Sequence, residues 1–184
     1  MVVKKYQEYA NAALQPFAEQ LQSEYYDVIG TLCEKAARQS EKIKAIENSE
    51  TQRQYVTQCE AIIIEIQKHI GDRKATYIPY VNSLSEKVKD NHNCSTCSGG
   101  CKVNHDVHVL ELNMTNDELK KALARLHMIT LPLYSETLFP EEYRVLRSNM
   151  ALLELNTTEL FLLENNYLIP KIVEAQKRIN AGNK

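Results

Sequence analysis

The sequence predicts an all-α protein, an antiparallel bundle of four helices, and three observations lead there. Its 184 residues include only five glycines and five prolines, too few to turn the many short strands of an all-β chain. Apolar and aromatic residues recur at steps of three and four, the period of one helical face. The stretches that carry this period are two long, one shorter and one long again, which pack most simply as neighbours of opposite direction. Hydrophobic residues make up 43% and charged residues 25%, a folded rather than a disordered composition. A single domain spanning 1–184 is expected at this length.

The elements follow in order. The first helical stretch runs from about Lys4 to Glu47, with Pro16 marking a break or a helix start, and a stripe of Tyr25, Val28, Ile29, Leu32 and Ala36. The polar connector ENSETQRQ (47–54) offers Ser49 or Thr51 as an N-cap. The second helix extends to about Asp90, its stripe reading Tyr55, Cys59, Ile62, Ile66, His69 and Arg73. Past Gly71 and Pro79 the period resumes with Val81, Leu84 and Val88. The third helix is expected to open at MTNDELKKAL, with Thr115 or Asn116 as cap and Glu118 in its first turn. The fourth starts with Pro140 at its first position. It runs to about Asn180 along Leu146, Met150, Leu153, Thr157, Leu160, Glu164 and Leu168.

Charge and motifs exclude several function classes. A formal net charge of −2 gives no general attraction to nucleic acid or to an anionic membrane. The opening MVVKKYQEYANAALQPF has no apolar segment and no apolar run approaches a membrane span, so a cytoplasmic protein is expected, without signal peptide or membrane partner. No phosphate-cradling glycine loop, nucleophile elbow or catalytic Ser/His/Asp spacing is present, so a hydrolase or kinase is not expected.

Chemistry concentrates in NHNCSTCSGGCKVNHDVH, residues 91–108, which holds three of the five cysteines and three of the five histidines. It lies in an expected loop at about 91–112, between helices two and three. Cys94 and Cys97 stand at the two-residue gap that lets both sulfurs reach one ion. Cys101 follows a flexible Ser-Gly-Gly, and His105, His108 or His92 offers a further ligand. Four readings stay open: a Cys3His zinc site, an iron–sulfur cluster with a non-cysteine fourth ligand, a thiol–disulfide pair, and a solvated loop without function. Metal ion, zinc or iron, is therefore the expected cofactor and partner. His127 is expected at a packed or boundary position, and Tyr25, Tyr26, Tyr77 and Tyr80 at helix interfaces.

Two polar residues, His69 and Glu164, occupy core-facing slots of their helices. A buried carboxylate needs a partner or a metal. The strings around them, HIGDRKATYIP (69–79) and LFLLENNYLIP (160–170), resemble the HxxxEExxLFP and HxxLENNxLFP signatures of hemerythrin-like domains. The likeness is strongest to the family that repairs iron centres in iron–sulfur proteins. EYYDVIGTLCE (24–34) and MTNDELKKAL (114–123) are similar to that family's first-helix and third-helix segments.

The resemblance implies a hemerythrin-like fold and a di-iron site held by inward histidines and glutamates, yet only His69 and Glu164 agree with its ligands. Arg73 stands where a glutamate would be, Leu160, Tyr26 and Asn116 where histidines would be, Ile29 beside Tyr26, and Lys120 at another glutamate position. Di-iron in the bundle is therefore not expected. Arg73, Glu164, His69 and Tyr26 are expected to form a buried polar network. A single metal on His69 and Glu164, with Tyr26 or Asp117, is the lesser reading. Functionally, the expectation is a metal-binding or redox-responsive protein in iron or nitrosative and oxidative stress handling, working through the loop. The alternative is a non-catalytic bundle that has lost its irons and serves as an interaction or scaffolding module for a protein partner.

Overall fold

The computed structural model describes residues 2–46, 49–94, 96–97, 101–130 and 141–181, with side chains except at 2–5, 101–108, 130 and 181. Among the described residues every regular element is helical: α1 (Val2–Asn11), α2 (Leu14–Leu21), α3 (Asp27–Lys44), α4 (Glu50–Asp72), α5 (Ile78–Lys89), α6 (Cys101–Thr130), α7 (Glu141–Leu163) and α8 (Ile169–Ala181). None is long and apolar enough to cross a membrane.

Three junctions are not loops. α2 passes into α3, α4 into α5 and α7 into α8 through single π-helical turns at Gln22–Tyr26, Arg73–Tyr77 and Glu164–Leu168. In each, the next N–H donates to a carbonyl five residues back: Asp27 to Gln22, Ile78 to Arg73, Ile169 to Glu164. Pro79 and Pro170 follow two of these turns. A proline cannot donate to the carbonyl four residues earlier and its ring crowds it, so a widened turn just before it relieves both problems.

Local signals fix the helix ends. Ser49 caps α4 in a reciprocal box: the Gln52 N–H donates to Ser49 Oγ at 3.3 Å, and the Ser49 N–H to Gln52 Oε1 at 2.8 Å. Pro16 sits in the first turn of α2, where its missing N–H costs nothing. α3 packs along α7 and α4, α4 along α6, and α5 against α2 and α8. The stripe of α4 expected from sequence, Tyr55 through Arg73, is buried throughout, and so is the expected stripe from Leu146 to Leu168 along α7 and the π-turn after it.

Four expectations need correction. The π-turn after α2 inserts a residue into the stripe, so Val28 is 40% exposed and Cys33 joins Ile29 and Ala36 in the core. The third long helix begins at Cys101, and Thr115 and Asn116 lie inside it rather than capping it. Thr115 Oγ donates to the Glu111 carbonyl at 2.9 Å, the bond of a mid-helix threonine. The connection after α5 is thus shorter than 91–112, and Cys101, His105 and His108 belong to α6. His127 is neither packed nor buried: its side chain is 61% exposed, 3.6 Å from Glu154, because it stands one residue past the buried Leu126. Pro140 lies outside the described residues.

Candidate metal corner and buried centre

The first site forms where α5 ends. Asn91 adopts a left-handed conformation, φ 51°, which asparagine tolerates better than most side chains. The Asn91 N–H donates to the Val88 carbonyl at 3.2 Å and the His92 N–H to the Lys87 carbonyl at 2.9 Å. These are the two bonds of a Schellman cap, with Asn91 where glycine usually sits. They hold His92 to the helix end. The Cys94 N–H then donates to the Ile179 carbonyl at 2.8 Å, tying the segment to the last turn of α8. A turn closed by the Thr96 N–H on the Asn93 carbonyl at 3.3 Å carries the chain to Cys97, whose thiol lies 3.4 Å from the Cys94 carbonyl.

This path gathers His92, Cys94 and Cys97 so that one ligand atom from each lies within 4.8 Å of the others. A tetrahedral ion with bonds of ~2.0–2.3 Å asks for separations of roughly 3.3–3.8 Å, a closure side-chain rotation can supply. Cys94 is buried and Cys97 half-buried. Among the described residues His92 Nε2 is buried without a hydrogen-bond partner, a state that costs free energy until something binds there. Cys101 is the first residue of α6, with His105 and His108 about one and two helical turns further along. Their side chains lie outside the described residues.

The second site lies where the π-turns converge. Glu164 opens the last of them and Arg73 the middle one, while Tyr26 closes the first. Arg73 Nε donates to Glu164 Oε1 at 2.9 Å and Nη2 to Oε2 at 3.3 Å, a two-bond pair with both side chains fully buried. The Tyr26 hydroxyl donates to Glu164 Oε1 at 2.9 Å. Further guanidinium bonds run to α6: Nη1 donates to Thr115 Oγ at 3.1 Å and Nη2 to Asn116 Oδ1, with the Leu112 carbonyl 3.5 Å from Nη2. The Tyr77 ring lies under the guanidinium, 4.7 Å from its carbon.

His69 borders this network without joining it by a hydrogen bond. Its Nε2 is 3.9 Å from Glu164 Oε2 and has no hydrogen-bond partner among the described residues. A cleft of about 310 Å³ between α4 and α6 reaches it, with Lys68, Asp72, Thr115, Glu118 and Lys121 also in the lining. Burial, reinforced by the Arg73 charge, pushes the His69 imidazole down to about 4, so it is neutral at pH 7. Burial works against the Glu164 carboxylate, but Arg73 outweighs it and holds the group below its usual range. Burial and the neighbouring carboxylate raise the Tyr26 phenol well above its ordinary value.

Other residues singled out from sequence fall elsewhere. Lys120 does not enter the centre: it is exposed, 3.2 Å from Asp117 and over the Phe161 ring. Asp117 is likewise on the surface and takes no part with His69. Ile29 and Leu160 are fully buried. Sequence reasoning missed Thr115 as a partner of Arg73, and missed the π-turns altogether. A signal for two of the turns was present. His69, Arg73, Tyr77 and Val81 make three successive steps of four, as do Leu160, Glu164, Leu168 and Ile172, too many for a 3.6-residue turn to keep on one face. No protein-family model matches the chain, and no characterised protein and no solved structure matches it.

Proposed function

We propose that this chain is a metal-binding helical bundle whose working site is the His92–Cys94–Cys97 corner, which takes one zinc or iron ion. The observation that carries the reading is the gathering of one imidazole nitrogen and two sulfurs within 4.8 Å, with His92 Nε2 buried and unpartnered among the described residues. Two thiolates and an imidazole suit zinc or ferrous iron over a hard cation. Cys101, His105 and His108 are the candidates for a fourth ligand. As thiolates, Cys94 and Cys97 would also respond to oxidants or nitrosating species, the basis for a role in iron or stress handling.

A hemerythrin-like, antiparallel four-helix arrangement is part of the same reading. Support comes from packing: α3 adjoins α4 while α2 adjoins α5, and α3 adjoins α7 while α2 adjoins α8. Successive helical rods that touch in this crossed order run in opposite directions. The di-iron centre that such a family would imply does not fit the residues present. Arg73 lies in the middle of the potential ligands and takes both oxygens of Glu164.

Metal analysis of anaerobically purified, reduced protein tests the proposal beside Cys94→Ser/Cys97→Ser and His92→Ala variants. The expected result is about one ion per chain in the native protein and little in either variant. Equal metal content in all three sinks the corner as the site. The second reading, a non-catalytic scaffold, is favoured by the Arg73–Glu164 pair that fills the centre, and stands if native protein carries no metal.

A further inference from the structure

We infer that the centre of the helices is itself a cation site, and that its permanent occupant is the side chain of Arg73. Five acceptor oxygens surround the guanidinium: Glu164 Oε1 and Oε2, Asn116 Oδ1, Thr115 Oγ and the Leu112 carbonyl. They come from α6 and from the turn that Glu164 opens, so the shell is assembled by tertiary packing. Its atoms are a carboxylate, an amide oxygen, a hydroxyl and a backbone carbonyl. The hydroxyl spends its own proton on the Glu111 and Leu112 carbonyls, which leaves its lone pair for Arg73. Tyr26 donates to Glu164 and so helps hold the carboxylate in place.

Charge decides what this shell accepts. One buried carboxylate balances one guanidinium. A divalent ion added beside Arg73 would leave uncompensated positive charge in a buried interior. It would also have to take oxygens that the guanidinium already uses. The native centre therefore takes no metal, whatever the corner does. Shape matters too. The oxygens meet a planar fork of N–H groups, a pattern that a spherical ion does not reproduce and that lysine matches poorly. With the Arg73 side chain removed, the shell should accept a free planar cation of the same kind, entering by the cleft that reaches His69.

The test is thermal unfolding of Arg73→Ala in millimolar guanidinium chloride, against sodium and tetramethylammonium chloride at equal ionic strength. The expected result is a destabilised variant whose Tm rises with guanidinium alone, by roughly 3–6 °C for each tenfold above its dissociation constant. Native protein should show no rise. A folded variant that gains nothing, or gains equally from the other salts, overturns the inference.

If Arg73→Ala does not fold, the Cys94→Ser/Cys97→Ser protein, with its central residues intact, decides the matter. Incubated with ferrous or zinc ion and desalted, it should retain no metal that depends on Glu164. Metal lost on adding Glu164→Gln would place an ion in the centre and overturn the inference. Metal insensitive to that change lies elsewhere and agrees with a closed centre. Neither arm requires the corner to bind metal, so the two readings fail separately.

Discussion

Arg73 and Glu164 meet through two hydrogen bonds, 2.9 and 3.3 Å long, with neither side chain exposed to solvent. The two residues are 91 positions apart, and each opens a π-helical turn. Removing one partner leaves the other as an unpaired buried charge. Glu164→Gln and Arg73→Met should each cost about 3–5 kcal/mol of stability. The double variant should cost clearly less than their sum, because the second change removes the charge the first exposes. Urea unfolding of the four proteins measures the coupling. Additive losses would mean that the pair is not the unit holding the centre together.

His69 gives the protein a pH dependence of predictable sign. Its folded pKa is about 4, against about 6.5 in an unfolded chain. Between those values the unfolded state binds a proton that the folded state refuses, so stability rises with pH across that window. The depressed Glu164 carboxyl acts in the same direction at the acid end, its contribution being lost as pH falls through its folded value. A shift of this size corresponds to roughly 3 kcal/mol between the ends of the window. His69→Gln should flatten the slope of stability between pH 6.5 and 4.5, with the native protein losing more. An unchanged slope would assign it to other groups.

The cysteines should divide into two reactivity classes. Burial pushes the thiols of Cys33 and Cys59 up to about 12, so almost none is thiolate at neutral pH. Cys97 is only half-buried. In metal-free protein at pH 7.5, iodoacetamide followed by peptide mass analysis should modify Cys97 at least tenfold faster than Cys33 or Cys59. Unfolding in urea should erase the difference. Zinc added beforehand should slow Cys97 and leave the buried pair unchanged.

How much of this was legible without coordinates differs between the two sites. At the centre, steps of three and four put His69, Arg73 and Glu164 on inward stripes, because burial of one face is what a helical period encodes. Tyr26 is placed in the central network by the resemblance and not by periodicity. The first stripe missed Cys33 and took in Val28, because the π-turn at Gln22–Tyr26 adds a residue that a fixed period cannot anticipate. Thr115 and Asn116 read as caps, since their side chains suit helix starts. Only the whole length of α6 shows that they serve Arg73 instead. At the corner, the Cys94-x2-Cys97 spacing was visible, but the cap that positions His92 depends on the backbone of Asn91, which composition does not reveal.

Gly30 and Gly71 lie inside α3 and α4, where a Cβ would meet nothing within 4 Å. Their freedom is spent only in the unfolded chain. Gly30→Ala and Gly71→Ala should therefore each stabilise the protein by about 0.5–1 kcal/mol. Being on different helices, they should add. Thermal unfolding checks this. A loss at Gly71 would mean that the turn beginning at Arg73 needs flexibility just before it.

Asn91 separates the helix cap from the chemistry that follows it. Its left-handed φ of 51° lets the chain leave α5 and return through His92. Asn91→Gly relieves the remaining steric cost and should leave stability and metal content near native. Asn91→Val places a β-branched side chain at positive φ and should cost roughly 1–2 kcal/mol. Its larger effect should fall on metal affinity, since the two cap bonds that hold His92 beside Cys94 and Cys97 are then strained. Competition with a chromophoric chelator measures that affinity, and unfolding curves of metal-free protein measure the cap alone. If valine weakens the cap while zinc affinity stays native, His92 is not held by the cap for metal binding, and the ligand set must be sought among Cys94, Cys97 and the start of α6.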